Sequence, residues 1–423
     1  MRVVVVGAGP AGLTAAFRVQ RAGHDVAVLE AAAVAGGRTH TEHFGAGHWA
    51  DTGAGWLASF YPDTLRLLDE IGERRRLQPL SLRGGGDLLL DGRLVRNPNS
   101  IGRILATPLL TLAEKVRFLA WMAQLIVRQP GNLQTDERWD AITAIDALRP
   151  AGRAAVERII RPSFEGPFFA RLNEMSAALV RAWLRDLSIG SFFHVDGGMD
   201  APWRALGERL GVRTGVRVDS VRKAHDGVEV MVEGGGIERA DAIVVAVPAP
   251  QAADLTPDHP AVGVLRGIRY APHVRLYAAR RAAGPSRTGI HAFPNDTVAT
   301  VELGTGRDGA WGQVPDDWQW ELICAPAATS GPLLELSDDE ASDRLWTEAS
   351  RIDPRIFSLD EAEIRLLVRW RYAVPVVDPG YHARLRRLHQ SPPIVFCGDW
   401  LVQPCVEGAV RSGEIAARLV GAA

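Results

Sequence analysis

The hydrophobic pattern changes period several times along the chain, and each change marks an element. Val3 to Val6 form an unbroken β-branched run, the pattern of a strand buried on both faces of a parallel sheet. Helical spacing follows from about Pro10 to Ala22, closed by Gly23-His24, and "DVAVLE" reads as a second strand. Leu65, Leu67, Leu68 and Ile71 recur at helical spacing between Asp63 and Gly72. "RGGGDLLLDGRLVRNP" predicts a hairpin that turns at Asp91-Gly92. From about Ile101 to Ser188 the chain is rich in Leu, Ala and Arg with helical periodicity. Its clearest helix lies in "TPLLTLAEKVRFLAWMAQLIVRQP" and stops before Pro130. A helix from about Pro202 to Leu210 comes next. "GVRVDSVRKA" and "GVEVMV" then alternate with period two about Asp226-Gly227, and "ADAIVVAVPAP" is another buried strand. The stretch from about Gln251 to Leu388 is mixed, with strands such as "HVRLYAA" and "TVATVEL". "PIVFCGD" is a last apolar strand, and a helix begins near Val406.

Between the first strand and the first helix stand Gly7, Gly9 and Gly12. In such a G-x-G-x-x-G turn the first glycine permits the bend, the second lets a pyrophosphate approach the backbone, and the third lets helix and strand pack closely. The helix that starts at Pro10-Ala11 directs unpaired N–H groups at the phosphates. Glu30, 18 residues past Gly12 at the end of the second strand, is placed to hydrogen-bond a ribose. Together these features predict a dinucleotide site. Gly36, Gly37 and Arg38 add a flexible loop with a fixed cation, suited to a second stretch of pyrophosphate, which an ordinary NAD domain does not need. Near the other end, Gly398 would allow close backbone approach and Asp399 could accept a bond from a cofactor hydroxyl. The helix from Val406 would point its N-terminus at a ring system, with Gly408, Ala409 and Gly413 small enough for close packing.

Composition narrows the rest. The chain has 423 residues, 47% hydrophobic and 23% charged, with a formal net charge of −2. That balance fits a soluble globular protein and asks for neither nucleic acid nor an anionic membrane. Cys324, Cys397 and Cys405 are too few and too scattered for a disulfide framework or a zinc site. With no secretory leader and no run approaching ~20 apolar residues, a reducing, cytoplasmic setting is expected. No metal is expected: His40 and His43 read as loop residues. Phe118, Leu119, Trp121, Met122, Leu125 and Ile126 read as buried core in preference to membrane-surface contact. Lys115 and Lys223 are the only lysines, which leaves few candidates for a catalytic lysine, and no G-x-S-x-G elbow is present.

Taken together, "VVVVGAGPAGL", "GGRTHT", "WADTGAGWL" and the terminal "FCGDWLVQPCVEGAVRSG" resemble the FAD-binding signature of the flavin amine oxidase superfamily. That group includes monoamine oxidases, protoporphyrinogen oxidases and phytoene-type desaturases. The resemblance implies an α/β fold: a Rossmann-like FAD domain in three pieces (1–85, 191–250 and 389–423). A substrate domain is inserted as a helical part (86–190) and a mixed sheet (251–388). It implies that Glu30 holds the adenosine ribose, that Gly37 and Arg38 lie near the phosphates, and that Val218 meets the adenine through its backbone. It also implies that Gly53-Ala54-Gly55-Trp56 passes beside the isoalloxazine ring, and that Gly398, Asp399, Val406 and Ala409 belong to the second flavin motif. Within the superfamily, amine oxidases commonly carry a lysine in the substrate domain and an aromatic residue before the x-E-G-A motif. Here residues 251–388 contain no lysine, and Cys405 holds the pre-motif position. "VRWRYAVPVVDPGYHARLRRL" resembles protoporphyrinogen oxidases instead.

The expected activity is FAD-dependent removal of a hydride from an apolar or ring-containing small molecule, by a dehydrogenase, desaturase or oxidase. The electron acceptor is left open, with dioxygen a candidate. An amine oxidase, a redox-neutral isomerase like UDP-galactopyranose mutase, and a non-enzymatic binder like Rab GDP dissociation inhibitor are the alternatives. Trp56, Tyr372 and Trp400 are pocket candidates; Arg369 and Arg371 read as solvated, though they could orient an acidic substrate. No catalytic residue is assigned, and the oligomeric state is open.

Overall fold

The computed structural model of the protein describes residues 1–423 except 46, 81–86, 91–92, 169, 282–288, 293–297, 299, 306–311, 354–355 and 422–423. Strand β1 (Arg2–Val6), helix α1 (Pro10–Arg21) and strand β2 (Asp25–Leu29) open the chain. Strands β3 (Thr41–Gly45) and β4 (His48–Asp51) form a hairpin, and helix α2 (Pro62–Glu70) follows. Strands β5 (Asp87–Leu90) and β6 (Arg93–Arg96) pair antiparallel as expected; the turn at Asp91-Gly92 lies outside the described residues.

The helical stretch includes α3 (Ile101–Ala106), α4 (Leu112–Arg128) and α5 (Ala177–Ile189). A capping box starts α4: Thr111 accepts from the Glu114 N–H while the Glu114 carboxylate accepts from the Thr111 N–H, at 2.8 Å. Phe118, Trp121 and Leu125 of α4 are buried, and Leu119, Met122 and Ile126 face the cavity described below. Among the described residues, no helix is long and apolar enough to cross a membrane.

After α6 (Ala201–Leu210) come strands β7 (Val218–Ala224), β8 (Gly227–Val232) and β9 (Gly236–Ala240), a three-stranded antiparallel sheet, and then β10 (Ala242–Val245). The second half holds β11 (Tyr270–Arg281), β12 (Gly289–Ala292), β13 (Thr300–Thr305), β14 (Trp318–Cys324), helix α7 (Asp338–Ile352) and β15 (Ile364–Pro375). Strand β16 (Ile394–Phe396) and helix α8 (Val406–Leu419) complete it.

Two sheets organise the molecule. The first is parallel, in the order β2-β1-β10-β16, so neighbours come from distant parts of the chain. Val3 to Val6 pair with Ala242 to Val245, and Ile243 to Val245 pair with Ile394 to Phe396. All four valines of β1 are buried, as the unbroken apolar run predicts. The second sheet has seven strands in the order β15-β11-β14-β13-β12-β5-β6. Its outer face packs Val274, Leu276, Val301 and Ile323 against Leu345, Trp346 and Ala349 of α7. Mixed helices and sheets of the α/β class were expected, and they are found.

Candidate active site

The loops at the carboxyl ends of the parallel strands converge on one cavity of 2410 Å³. In open α/β sheets that edge is where ligands bind. The Gly7–Gly12 turn separates the functions of its three glycines. Gly7 has φ +100°, and a Cβ there would lie 2.7 Å from the Ala246 carbonyl oxygen. A Cβ on Gly12 would overlap the Gly7 carbonyl, so this glycine serves the packing of α1 onto β1 and lies off the cavity wall. Gly9 differs: its Cβ would meet nothing closer than the Gly37 Cα at 3.9 Å, and the residue faces the cavity. The N-terminus of α1 carries no side-chain cap and no acidic residue in its first turn. Among the described residues no side chain caps its first N–H groups, at Ala11 and Gly12, and they suit an anion.

The Glu30 carboxylate, at the tip of β2, accepts from the Ala8 N–H at 2.7 Å and the Ala32 N–H at 2.8 Å. Val218, at the start of β7, lines the same end of the cavity. Arg38 lies in a short helical turn (Gly37–Thr39) and donates to Asp399 through both terminal nitrogens, at 2.9 and 2.7 Å, and to the Ala373 carbonyl at 2.9 Å. Burial opposes the guanidinium charge, but the neighbouring Asp399 and Tyr270 oxygens keep its pKa above the ordinary value. Arg38 and Asp399, read separately from sequence, are thus one bidentate pair joining the two glycine motifs.

Gly398 and α8 form the adjoining wall. The Gly398 N–H donates to Ser412 Oγ at 2.9 Å. Cys405 occupies the N-cap of α8 without capping it, and it lines the cavity with Val406 and Ala409. Enclosure pushes the Cys405 thiol up to about 12, so it stays neutral. A Cβ on Gly413 would overlap the Ala11 carbonyl, which is why α1 and α8 can cross closely. Glu407, inside the x-E-G-A motif, faces away from the cavity and is fully buried. Its carboxylate accepts from the N–H groups of Asp63 and Thr64, at 3.1 and 2.9 Å, and so caps α2.

Of the three aromatic pocket candidates, Trp56 and Tyr372 line the cavity. Trp56 packs edge-on against Phe192 at 5.1 Å and near Tyr61 and Trp183, and Tyr372 packs edge-on against Tyr270. Trp400 does not line it. Its ring is folded beneath Gly398, donates from Nε1 to the Val247 carbonyl at 3.3 Å, and belongs to the main core. The turn after Asp399 aims it inward. Arg369 reaches the carbonyls of Leu333 and Leu336 and pairs with Asp338, while Arg371 pairs with Glu335 at 3.1 Å. Gly53, Ala54 and Gly55 run along the cavity beside Trp56.

Sequence reasoning missed Tyr61 and Trp183, which complete the aromatic wall, and a polar row of His273, Arg275, Thr300, Glu302 and Cys324 on the cavity floor. It also missed Asp51, which accepts from Thr41 Oγ1 at 2.6 Å and the Met199 N–H at 2.9 Å, and whose pKa burial pushes up to about 7. No group of three or more His, Cys, Asp or Glu that could hold a metal ion occurs among the described residues.

Comparison with known proteins places this geometry. The sequence profile described as "Flavin containing amine oxidoreductase" matches residues 10–421. A 15-cis-phytoene desaturase of Glycine max is 25% identical over 99% of this chain and 79% of its own. A flavin-dependent L-tryptophan oxidase of Lentzea aerocolonigenes is 27% identical, over 58% of each chain. Among solved structures, a putrescine oxidase bound to putrescine has a TM-score of 0.77 at 20% identity, covering 100% of both chains. The chain belongs to the flavin-containing amine oxidoreductase family, and it is an FAD-dependent oxidoreductase.

Proposed function

We propose that the protein removes a hydride from a C–H bond of an apolar or ring-containing small molecule. One observation carries the reading: the cavity runs without interruption from Gly9 and Glu30 to a chamber walled by Trp56, Phe118, Met122 and Trp183. At 2410 Å³ it exceeds the ~1,000 Å³ upper range of single-ligand pockets, leaving room for a dinucleotide and a substrate together. FAD, when bound, supplies the acceptor for the two electrons.

The chain's own residues would bind and tune. The N–H groups at the start of α1 hold the diphosphate, with Gly9 and Gly37 leaving room for it. Glu30 takes the adenosine ribose, and the Val218 backbone the adenine. The Arg38–Asp399 pair orients hydroxyl and phosphate oxygens. Gly53 to Trp56 and the N-terminus of α8 border the ring, where a helix N-terminus stabilises negative charge by ~0.3–1 kcal/mol when exposed and up to ~2 when partly buried. The aromatic wall excludes water from the reacting bond. An amine substrate finds less support, since residues 251–388 contain no lysine.

The test is anaerobic mixing of the purified holoprotein with ring-containing and polyene C–H donors, followed by flavin absorbance. Bleaching by one of these, with no response to an amine panel, is the expected result. Bleaching by amines alone, or turnover only after pre-reduction and without net electron transfer, would replace this reading with the oxidase or the isomerase.

A further inference from the structure

The chamber floor breaks the binary pattern of the sheet that forms it. In β11 the residues Val274 and Leu276 point to the outer core, while His273 and Arg275 point into the cavity. Across the sheet Arg275 stands opposite Cys324 of β14, and Cys324 opposite Thr300 of β13; Glu302 lies two residues further along the same face. None of these five side chains is more than 7% exposed. Much of the remaining wall is apolar, with Ile104, Leu119, Met122, Ile159 and Phe192, while Ser163, Ser191 and Arg371 add polar positions away from this row.

Arg275 is held in place: its Nε donates to His273 Nε2 at 3.1 Å, and its Nη1 donates to the Gly53 carbonyl at 3.0 Å and the Asp51 carbonyl at 3.4 Å. Burial lowers the pKa of His273, which keeps the ring neutral and able to accept that bond. Burial raises the pKa of the intervening Cys324 thiol, and the charges of Arg275 and Glu302 act on it in opposite senses. A floor built to hold only hydrocarbon would be apolar, aliphatic or aromatic, because charged groups are costly to bury where an apolar side chain would fit. The two charges also discriminate: a carboxylate drawn to Arg275 meets Glu302, and an ammonium drawn to Glu302 meets Arg275.

We infer that the row of Arg275, Thr300, Glu302 and Cys324 recognises a neutral hydrogen-bonding group (a hydroxyl, carbonyl or amide) on an otherwise apolar substrate, and so fixes which end of that substrate enters. The inference rests on the cavity being the substrate chamber of an FAD enzyme. The experiment titrates the holoprotein with propylbenzene, 3-phenylpropan-1-ol, 3-phenylpropionate, 3-phenylpropylamine and phenylalanine, reading the perturbation of the flavin absorption band. The alcohol is expected to bind at least about tenfold tighter than each of the others. In the Arg275→Met/Glu302→Met double variant, alcohol and propylbenzene should come within about twofold of each other. Glu302→Gln, which keeps shape and hydrogen bonding, removes the negative charge from the row and should move the preference to 3-phenylpropionate. Propylbenzene binding as tightly as the alcohol, a charged or zwitterionic probe binding tightest, no detectable binding of any probe, or an unchanged ranking in Glu302→Gln would each overturn the inference while flavin content stays full. A wild-type protein that holds no FAD would instead remove the reading on which it rests.

Discussion

At the scale of single residues, burial decides which titrations matter. Asp51 has an ordinary pKa of 3.8 and a folded value of about 7, chiefly because burial disfavours its charge. Between those values the folded protein keeps a proton that the unfolded chain has released. This contribution to stability is therefore full below about pH 4, declines as pH rises, and is gone above about pH 7. Asp51→Asn should show no such decline. Its melting temperature relative to the parent should rise between pH 4 and 7 and level off by about pH 8. The gain corresponds to about 1.4 kcal/mol for each tenfold difference in proton affinity between the folded and unfolded chains. Parallel melting curves for the two proteins across that range would refute the assignment. Glu30, Arg38 and Asp399 were legible because each sits at a fixed offset from a glycine turn. Arg275 was not, because a period-two strand with polar residues on one face reads as facing water. Here "HVRLY" turns that polar face into a cavity. Trp400 was misassigned for a related reason: sequence places it beside a site but does not say which way a turn aims its ring.

At the scale of the element, β1-turn-α1 separates two kinds of glycine. Gly9 and Gly12 belong to the same motif, yet of the two only Gly9 leaves room within the protein for an added Cβ. Gly9→Val should leave the melting temperature of the FAD-free protein within a few degrees of the parent while weakening FAD binding about 100-fold or more. Gly12→Val should fail earlier, because overpacking against the Gly7 carbonyl costs about 1–3 kcal/mol or more. Calorimetry and flavin fluorescence on the two variants check the contrast; equal FAD affinity in Gly9→Val and parent would refute the cradle. The elements themselves were readable from periodicity. Their cross-links were not: nothing in "VEGAV" announces that Glu407 caps α2, since the partner N–H groups lie more than 340 residues away.

At the scale of the whole molecule, the cavity is bordered by both sheets and by the helical stretch, so its occupant touches every part. FAD should therefore stabilise the whole structure. Mass action gives ~2.7 kcal/mol when free FAD is 100 times its dissociation constant. Stripping the flavin should lower the melting temperature by several degrees and broaden the transition, and re-addition should restore it. Unchanged melting after FAD removal would show that the nucleotide is bound at the surface only. The architecture was legible at this scale because one sheet recruits the same buried, β-branched signal three times, in "RVVVV", "AIVV" and "IVF".

The order β2-β1-β10-β16 also constrains how the molecule is made. Strand β16 joins the sheet through β10, and the partners of β10 lie some 240 residues before it and 150 after it along the chain. Closing such long loops precedes the contacts that reward it, which slows folding. Until β16 and α8 arrive, the N-terminal glycine turn lacks the Arg38–Asp399 bond and the wall around Gly398. Before that closure FAD would meet only the half of the cradle that Gly9, Glu30 and Val218 supply; after it, the whole. The flavin end of the nucleotide is therefore expected to bind after the chain has closed, selecting finished molecules more than templating new ones.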